Sequence, residues 1–259
     1  MKNLFLLDPN ITYLNHGSYG SCPSSVFNDY QKLQKRLEQQ PVQFMTKYLW
    51  KYLKESRDTL GTFLNCDGDD LLLFANPTTA INNVIENLNL NKGDEVLMTQ
   101  HEYGALVRAW SRSSKRNNFS IVQQPVKVPV SSKKNFIKQF LAGITMNTKV
   151  VFISQITSQT GLIFPIKEIC EYATKKGIVT IVDGAHVPGH IDLNISNLEC
   201  DFYTGTCHKW LCAPKGSSFL YVRKSFQANI KPQVVSWGEE GDDPGPVSYT
   251  HLRAHETRI

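Results

Sequence analysis

At 259 residues, with 41% hydrophobic and 20% charged content, the chain has material for one large core, or one core plus a small appendage, and reads as globular and soluble. The net charge of +5 is modest, and its densest basic pairs, Lys133-Lys134 and Lys175-Lys176, lie among acids, so nothing suggests nucleic-acid binding, although an anionic small ligand would be welcome. Leu4-Phe5-Leu6-Leu7 is too short for a signal peptide, no run reaches membrane-spanning length, and the six cysteines form no Cys-x-x-Cys pair, so the expectation is a cytoplasmic chain with reduced thiols rather than a disulfide framework or zinc site.

Tyr13 to Pro23 is a glycine-punctuated loop, read either as a plain turn or as a ligand contact through its Asn, His, Ser and Tyr side chains. It leads into a helix with Val26, Tyr30, Leu33 and Leu37 on one face. A second helix after Pro41 places Leu49, Leu53, Leu60 and Phe63 at helical spacing and ends at Asn65-Cys66-Asp67-Gly68-Asp69. From Leu71 the pattern alternates. Short apolar runs at Leu71 to Phe74, Glu95 to Met98, Ser120 to Val122, Val150 to Ile153 and Val179 to Val182 predict strands, with Phe219 to Val222 as a further short buried strand. Amphipathic stretches at Thr78 to Leu90, Ala105 to Arg116, Asn135 to Ile144 and Ile166 to Lys176 predict helices. Such alternation builds an α/β fold, a mostly parallel central sheet covered by helices on both faces.

In these sheets ligands bind outside the carboxyl ends of the strands, where polar clusters fall. Asn76-Pro77-Thr78-Thr79-Ala80 combines hydroxyls with first-turn amides and suits a phosphate, or is plain helix capping. In His101-Glu102-Tyr103-Gly104-Ala105, Tyr103 either lies against a planar ligand or caps the core. Ser154 to Gly161 is rich in hydroxyls and amides, as solvated loops often are. Asp183-Gly184-Ala185-His186 ends a buried strand, and a carboxylate there asks for a cationic partner such as a protonated ring nitrogen.

Thr204 to Gly216 holds Lys209 between His208 and Trp210. An amine partly buried there has a depressed pKa and is a nucleophile toward carbonyls; the alternative is a stem packed on Trp210 with its head in water. Gly184 to Ile191 has phosphate-loop glycine spacing without the Lys-Ser/Thr ending, and no Gly-x-Gly-x-x-Gly occurs. Asp183, His186, His190 and His208 are disfavoured as a metal site, since Pro188-Gly189 interrupts any helix that would align the nearer histidines; no metal is expected. Cys207 and His208 are no dyad, because adjacent side chains of an extended segment diverge.

Asn76-Pro77-Thr78-Thr79, Glu102-Tyr103-Gly104-Ala105, Thr157 to Gly161, Val182 to His186, and His208-Lys209-Trp210 with Ala213-Pro214-Lys215-Gly216, in this order, resemble the class V aminotransferase family, pyridoxal-phosphate enzymes of the aspartate-aminotransferase fold. The chain is most similar to its isopenicillin-N-epimerase-like group, whose opening loop resembles Tyr13 to Pro23, with cysteine desulfurases as more distant relatives. The resemblance runs from about residue 10 to about residue 238. It implies pyridoxal 5'-phosphate held as a Schiff base on Lys209, with Asp183 on the pyridine nitrogen, Tyr103 against the ring, and Thr78, Thr79, Thr206 and His208 on the phosphate. Ser158 and His186 match positions near the ring hydroxyl, and Asn15 and His16 would border the substrate, an amino acid whose α-proton the freed Lys209 removes. Epimerisation, transamination, β-elimination and sulfur or selenium removal share that start. The alternative of another class is an inactive cofactor-binding fragment or interaction module.

The resemblance further implies a homodimer and a second, smaller domain that supplies an arginine for the substrate carboxylate. After Gly238 come the acidic, turn-rich Glu239 to Pro246 and then Val247 to Ile259, which does not resemble the family and reads as a non-native or disordered tail. The expected organisation is therefore an N-terminal loop and helices over 1–65, a cofactor domain over 66–238 and the tail over 239–259, a fragment whose small domain is missing.

Overall fold

A computed structural model describes residues 2–234, so the tail expected over 239–259 lies outside the described residues. The opening loop feeds α1 (Ser24–Gln39), then α2 (Pro41–Gln43), a π-helical turn (Phe44–Tyr48) and α3 (Leu49–Leu64). Strands and helices then alternate: β1 (Leu71–Phe74), α4 (Pro77–Asn87), β2 (Glu95–Thr99), α5 (Gly104–Asn117), β3 (Ser120–Gln124), α6 (Lys133–Leu141), β4 (Thr148–Ser154), α7 (Ile166–Lys175) and β5 (Val179–Gly184). The chain continues through β6 (Phe202–Thr206), β7 (Ser218–Val222) and the short α8 (Lys224–Gln227).

The seven strands form one sheet in the order β1-β7-β6-β5-β4-β2-β3. Five of them, β3, β2, β4, β5 and β6, pair parallel; β7 runs against both its neighbours. The fold class expected from the sequence is thus the one observed. Alternation along β4 shows how the two faces are filled. Val151 and Ile153 join Phe136, Phe140, Ile169 and Ala173 of α6 and α7, while Val150 and Phe152 join Ile81, Val84, Leu106 and Trp110 of α4 and α5. Full burial of each such aliphatic or aromatic side chain contributes about 1.5–3 kcal/mol. Asn65 and Asn118, both left-handed, end α3 and α5 where only a short polar side chain or glycine is comfortable. Among the described residues no helix is long and apolar enough to cross a membrane.

The structure departs from the sequence reading in the N-terminal helices. No residue of α1 is buried, and its stripe of Val26, Tyr30 and Leu33 is 39–44% exposed. In the second helix Leu49 is buried and Leu60 packs against the core as expected, but Arg57, Gly61 and Leu64 also face inward, while Phe63 is 49% exposed. β6 carries no apolar alternation, yet it is buried throughout.

Candidate functional site

The carboxyl ends of β4, β5 and β6 lie side by side, Ser154 opposite Asp183 and Asp183 opposite Thr204. Together with the starts of α4 and α5, the opening loop and the turn after β6 they enclose a cavity of about 580 Å3, a size suited to a small ligand. Asp183, Lys209, His186, His208, Thr206, Thr78, Tyr103 and Ser158 all line it. Residues separated by more than a hundred positions are brought together here because parallel strands all end on the same side.

Asp183 is 5% exposed, and its Oδ1 accepts from Ala185 N at 2.9 Å. Burial pushes its carboxyl above the ordinary range, against the Ala185 hydrogen bond and the nearby Lys209, so the cavity holds a carboxylate in need of a cation. Burial likewise lowers Lys209, with Asp183 opposing. Lys209 Nζ lies 3.2 Å from His186 Nε2, and Trp210 Nε1 donates to His186 Nδ1 at 3.4 Å. His186 is driven down to about 4 by burial and then by Lys209 and His190, so its ring is neutral near pH 7. With Nδ1 accepting from Trp210, the ring's proton sits on Nε2 and points at Lys209, an arrangement that suits a neutral, nucleophilic amine.

Other groups that line the cavity suit an anion. At the start of α4, Asn76 Oδ1 accepts from Thr79 N at 2.9 Å and from Thr79 Oγ1 at 3.2 Å, which makes Asn76 the cap, occupies Thr79 and leaves Thr78 on the cavity wall. Thr206 lines the cavity, and its Oγ1 is buried with no hydrogen-bond partner among the described residues, a hydroxyl that an acceptor would satisfy. His208 Nδ1 lies 2.8 Å from Ser217 O, which fixes the ring, and burial holds it below its ordinary pKa. Asn76→Ala is expected to remove about 1 kcal/mol of stability and to weaken anion binding, measured by urea unfolding with and without inorganic phosphate.

The opening loop borders the cavity through Gly17, Ser18 and Tyr19, whereas the sequence reading singles out Asn15 and His16. Asn15 Oδ1 accepts from Ser18 N at 3.2 Å, closing its own turn, and the His16 ring packs against Tyr13, Phe5 and Trp210. Tyr19 stacks on His208 with ring centroids 6.3 Å apart. The sequence reading assigns no role to Lys215, which also lines the cavity and donates from Nζ to Gly20 O. Its only linear signal is the Pro-Lys-Gly turn, which does not reveal that the chain folds back.

These residues fit a planar ligand with a cationic ring nitrogen, a carbonyl and a phosphate: Asp183 for the nitrogen, Lys209 for the carbonyl carbon, and Thr78, Thr206 and His208 for the phosphate. The chain is 35% identical over 239 residues to isopenicillin N epimerase of Streptomyces clavuligerus (92% of this chain, 60% of the relative). It is 28% identical to hercynylcysteine sulfoxide lyase of Schizosaccharomyces pombe (92% and 61%) and 29% identical to a probable chloroplastic L-cysteine desulfhydrase of Arabidopsis thaliana (86% and 50%). It thus spans about half to three-fifths of these curated relatives. Among solved structures it is similar in fold to the cystine C-S lyase C-DES in complex with cysteine persulfide, with TM-score 0.83 at 23% identity over 96% of this chain and 71% of that one. It is also similar to the cysteine desulfurase CsdA of Escherichia coli, with TM-score 0.73 at 20% identity over 94% and 66%. The family profile of aminotransferase class-V matches residues 12–251, past the Gly238 at which the sequence alone loses the likeness. The chain belongs to the aminotransferase class-V family.

Proposed function

We propose that this chain is the cofactor-binding part of a pyridoxal-phosphate-dependent enzyme that acts at the α-carbon of an amino acid. The observation that carries the reading is the shared cavity, in which a half-buried amine, Lys209, and a buried carboxylate, Asp183, face the same space. Bound there, the cofactor supplies an aldehyde to link to an amine and a ring that draws electrons from the α-carbon. Lys209 Nζ would be the amine that holds the aldehyde and the base for the α-proton of the substrate. Asp183 would keep the ring nitrogen protonated, Tyr103 would cover a ring face and Ser158 would border the ring, while His186 orients the Lys209 amine from 3.2 Å.

Epimerisation and C–S bond cleavage both begin with that proton transfer, and relatives named for each support them alike. Asn15 and His16 support the loop that borders the substrate space. The carboxylate-binding arginine and the second copy of a homodimer belong to the whole protein, and the exposed apolar stripe of α1 supports such a covered face.

Asp183→Asn tests the ring contact. Loss of the charge pair is expected to weaken pyridoxal-phosphate binding about 10²-fold, read by titrating the visible absorption band. Unchanged affinity and band position in the variant would remove Asp183 from the site.

A further inference from the structure

Glu102 sits between β2 and α5, is 4% exposed, and has no part in the function proposed above. Its carboxyl is fully engaged. Thr99 Oγ1 lies 2.6 Å from Oε1, while Ser154 N and Ser154 Oγ lie 2.8 and 2.5 Å from Oε2. Ser154 ends β4, lines the cavity and is the register partner of Asp183, so in this parallel pair the two side chains leave the same face of the sheet. A hydrogen-bonded path thus runs from a carboxyl behind the cavity wall to a hydroxyl on it, beside the ring-facing aspartate.

Among the described residues no cation balances this group. The charged residue that acts on Glu102 from the neighbouring elements is Asp183, of the same sign, and Lys209 acts on Asp183 from across the cavity. His101, next in the chain, turns Nε2 to Val126 O at 3.1 Å. Burial first, and the Asp183 charge in addition, push Glu102 up to about 7 in spite of its three donors. Two buried acids within each other's field resist ionising together, and a cation arriving at one eases ionisation of the other.

We propose that Glu102 is a positioning residue for Asp183: through the Ser154 hydroxyl it sets the charge and hydrogen-bond donors that Asp183 meets, and it loses its proton when a cationic ring nitrogen pairs with Asp183. A protonated Glu102 donates to Ser154 Oγ and frees the serine hydrogen for the cavity. An ionised Glu102 takes that hydrogen back. The proton leaves to solvent, and no bond between heavy atoms changes.

The inference rests on the proposed function for the identity of the ring, and the test separates the two. In the protein without cofactor, a folded-state value near 7 against 4.5 for an ordinary glutamate means that the folded state binds more protons between these limits. Stability from this group is therefore complete below about pH 4.5 and is lost as pH rises through about 7. Glu102→Gln should remove that loss, so the difference in melting temperature between variant and wild type grows from pH 4.5 to 7.5. With pyridoxal phosphate bound, the visible absorption of the wild type should show a titration step on the acid side of the value of about 7 held without cofactor, a step missing in Glu102→Gln and, because the relay is cut, in Ser154→Ala. Ser154→Ala reads the same relay should Glu102→Gln not fold. Titration curves of the variants superimposable on the wild type would overturn this inference alone. No visible band in any of the proteins would overturn the function proposed above.

Discussion

Lys209→Ala is expected to abolish the borohydride-fixable attachment of pyridoxal phosphate and to lower turnover of the whole enzyme about 10³-fold or more. The magnitude comes from removing one group with two roles, since a positioned acid–base residue alone contributes about 10²–10⁴-fold. Reduction of the wild type followed by peptide mapping should place the label on Lys209. The variant should still bind the cofactor without the link, because Asp183, Thr78, Thr206 and His208 are untouched. That separates a lost nucleophile from a collapsed site. A variant that keeps its visible band and its label would remove Lys209 from the role, and Lys215, also on the cavity wall, would be the amine to test next.

The structure shows why Lys209 suits this part better than Lys215. Burial lowers the Lys209 amine, the uncharged His186 ring points a proton at it, and its stem leaves a turn just after a fully buried strand. Lys215 is tied to Gly20 O of the opening loop. In the sequence both are lysines near glycine and proline. Only the topology, with the end of β6 beside the end of β5, puts one of them opposite Asp183.

This contrast sets the limit of what the linear sequence reveals. The strands β1, β2, β4 and β5 are legible because apolar runs mark buried strands, parallel in β2, β4 and β5 and antiparallel in β1, and Asp183 is legible because a carboxylate at the end of such a run demands a partner. β6 is illegible as a strand: Phe-Tyr-Thr-Gly-Thr has hydroxyls and a glycine near its end, and its need for Gly205 comes from Phe219 and Pro188, whose atoms would lie 2.5 and 2.9 Å from a β-carbon there. The α1 stripe looks like a core face because periodicity reports an apolar side without saying what covers it. Glu102 is hidden for a different reason. Its partners Thr99, Ser154 and Asp183 come from three strands, and burial of a carboxylate leaves no mark on residue spacing.

Gly20→Ala should destabilise the protein by about 3 kcal/mol, the upper range for forcing atoms into a packed site, and lower its melting temperature by about 6–12 °C. Gly20 is buried and its N–H donates to His208 O at 2.8 Å, while its own carbonyl accepts from Lys215. A β-carbon at this position would fall on the Lys209 carbonyl oxygen, with Lys209 C at 2.7 Å and His208 O at 2.9 Å. All three are backbone atoms of the segment that carries the nucleophile, so no side-chain rotation relieves the clash. Either the opening loop lifts, taking Gly17, Ser18 and Tyr19 off the cavity wall, or the Lys209 turn shifts away from Asp183. Both outcomes loosen the site, so cofactor affinity should fall with stability, which unfolding curves and absorption titrations would show together. Gly104→Ala is the control: it opens α5, nothing lies within 4 Å of its added carbon, and a stability change of about 0.5 kcal/mol or less is expected. Equal, small effects from both substitutions would mean that the opening loop does not press on the lysine turn in solution, and that the wall made by Tyr19 is not held in place by Gly20.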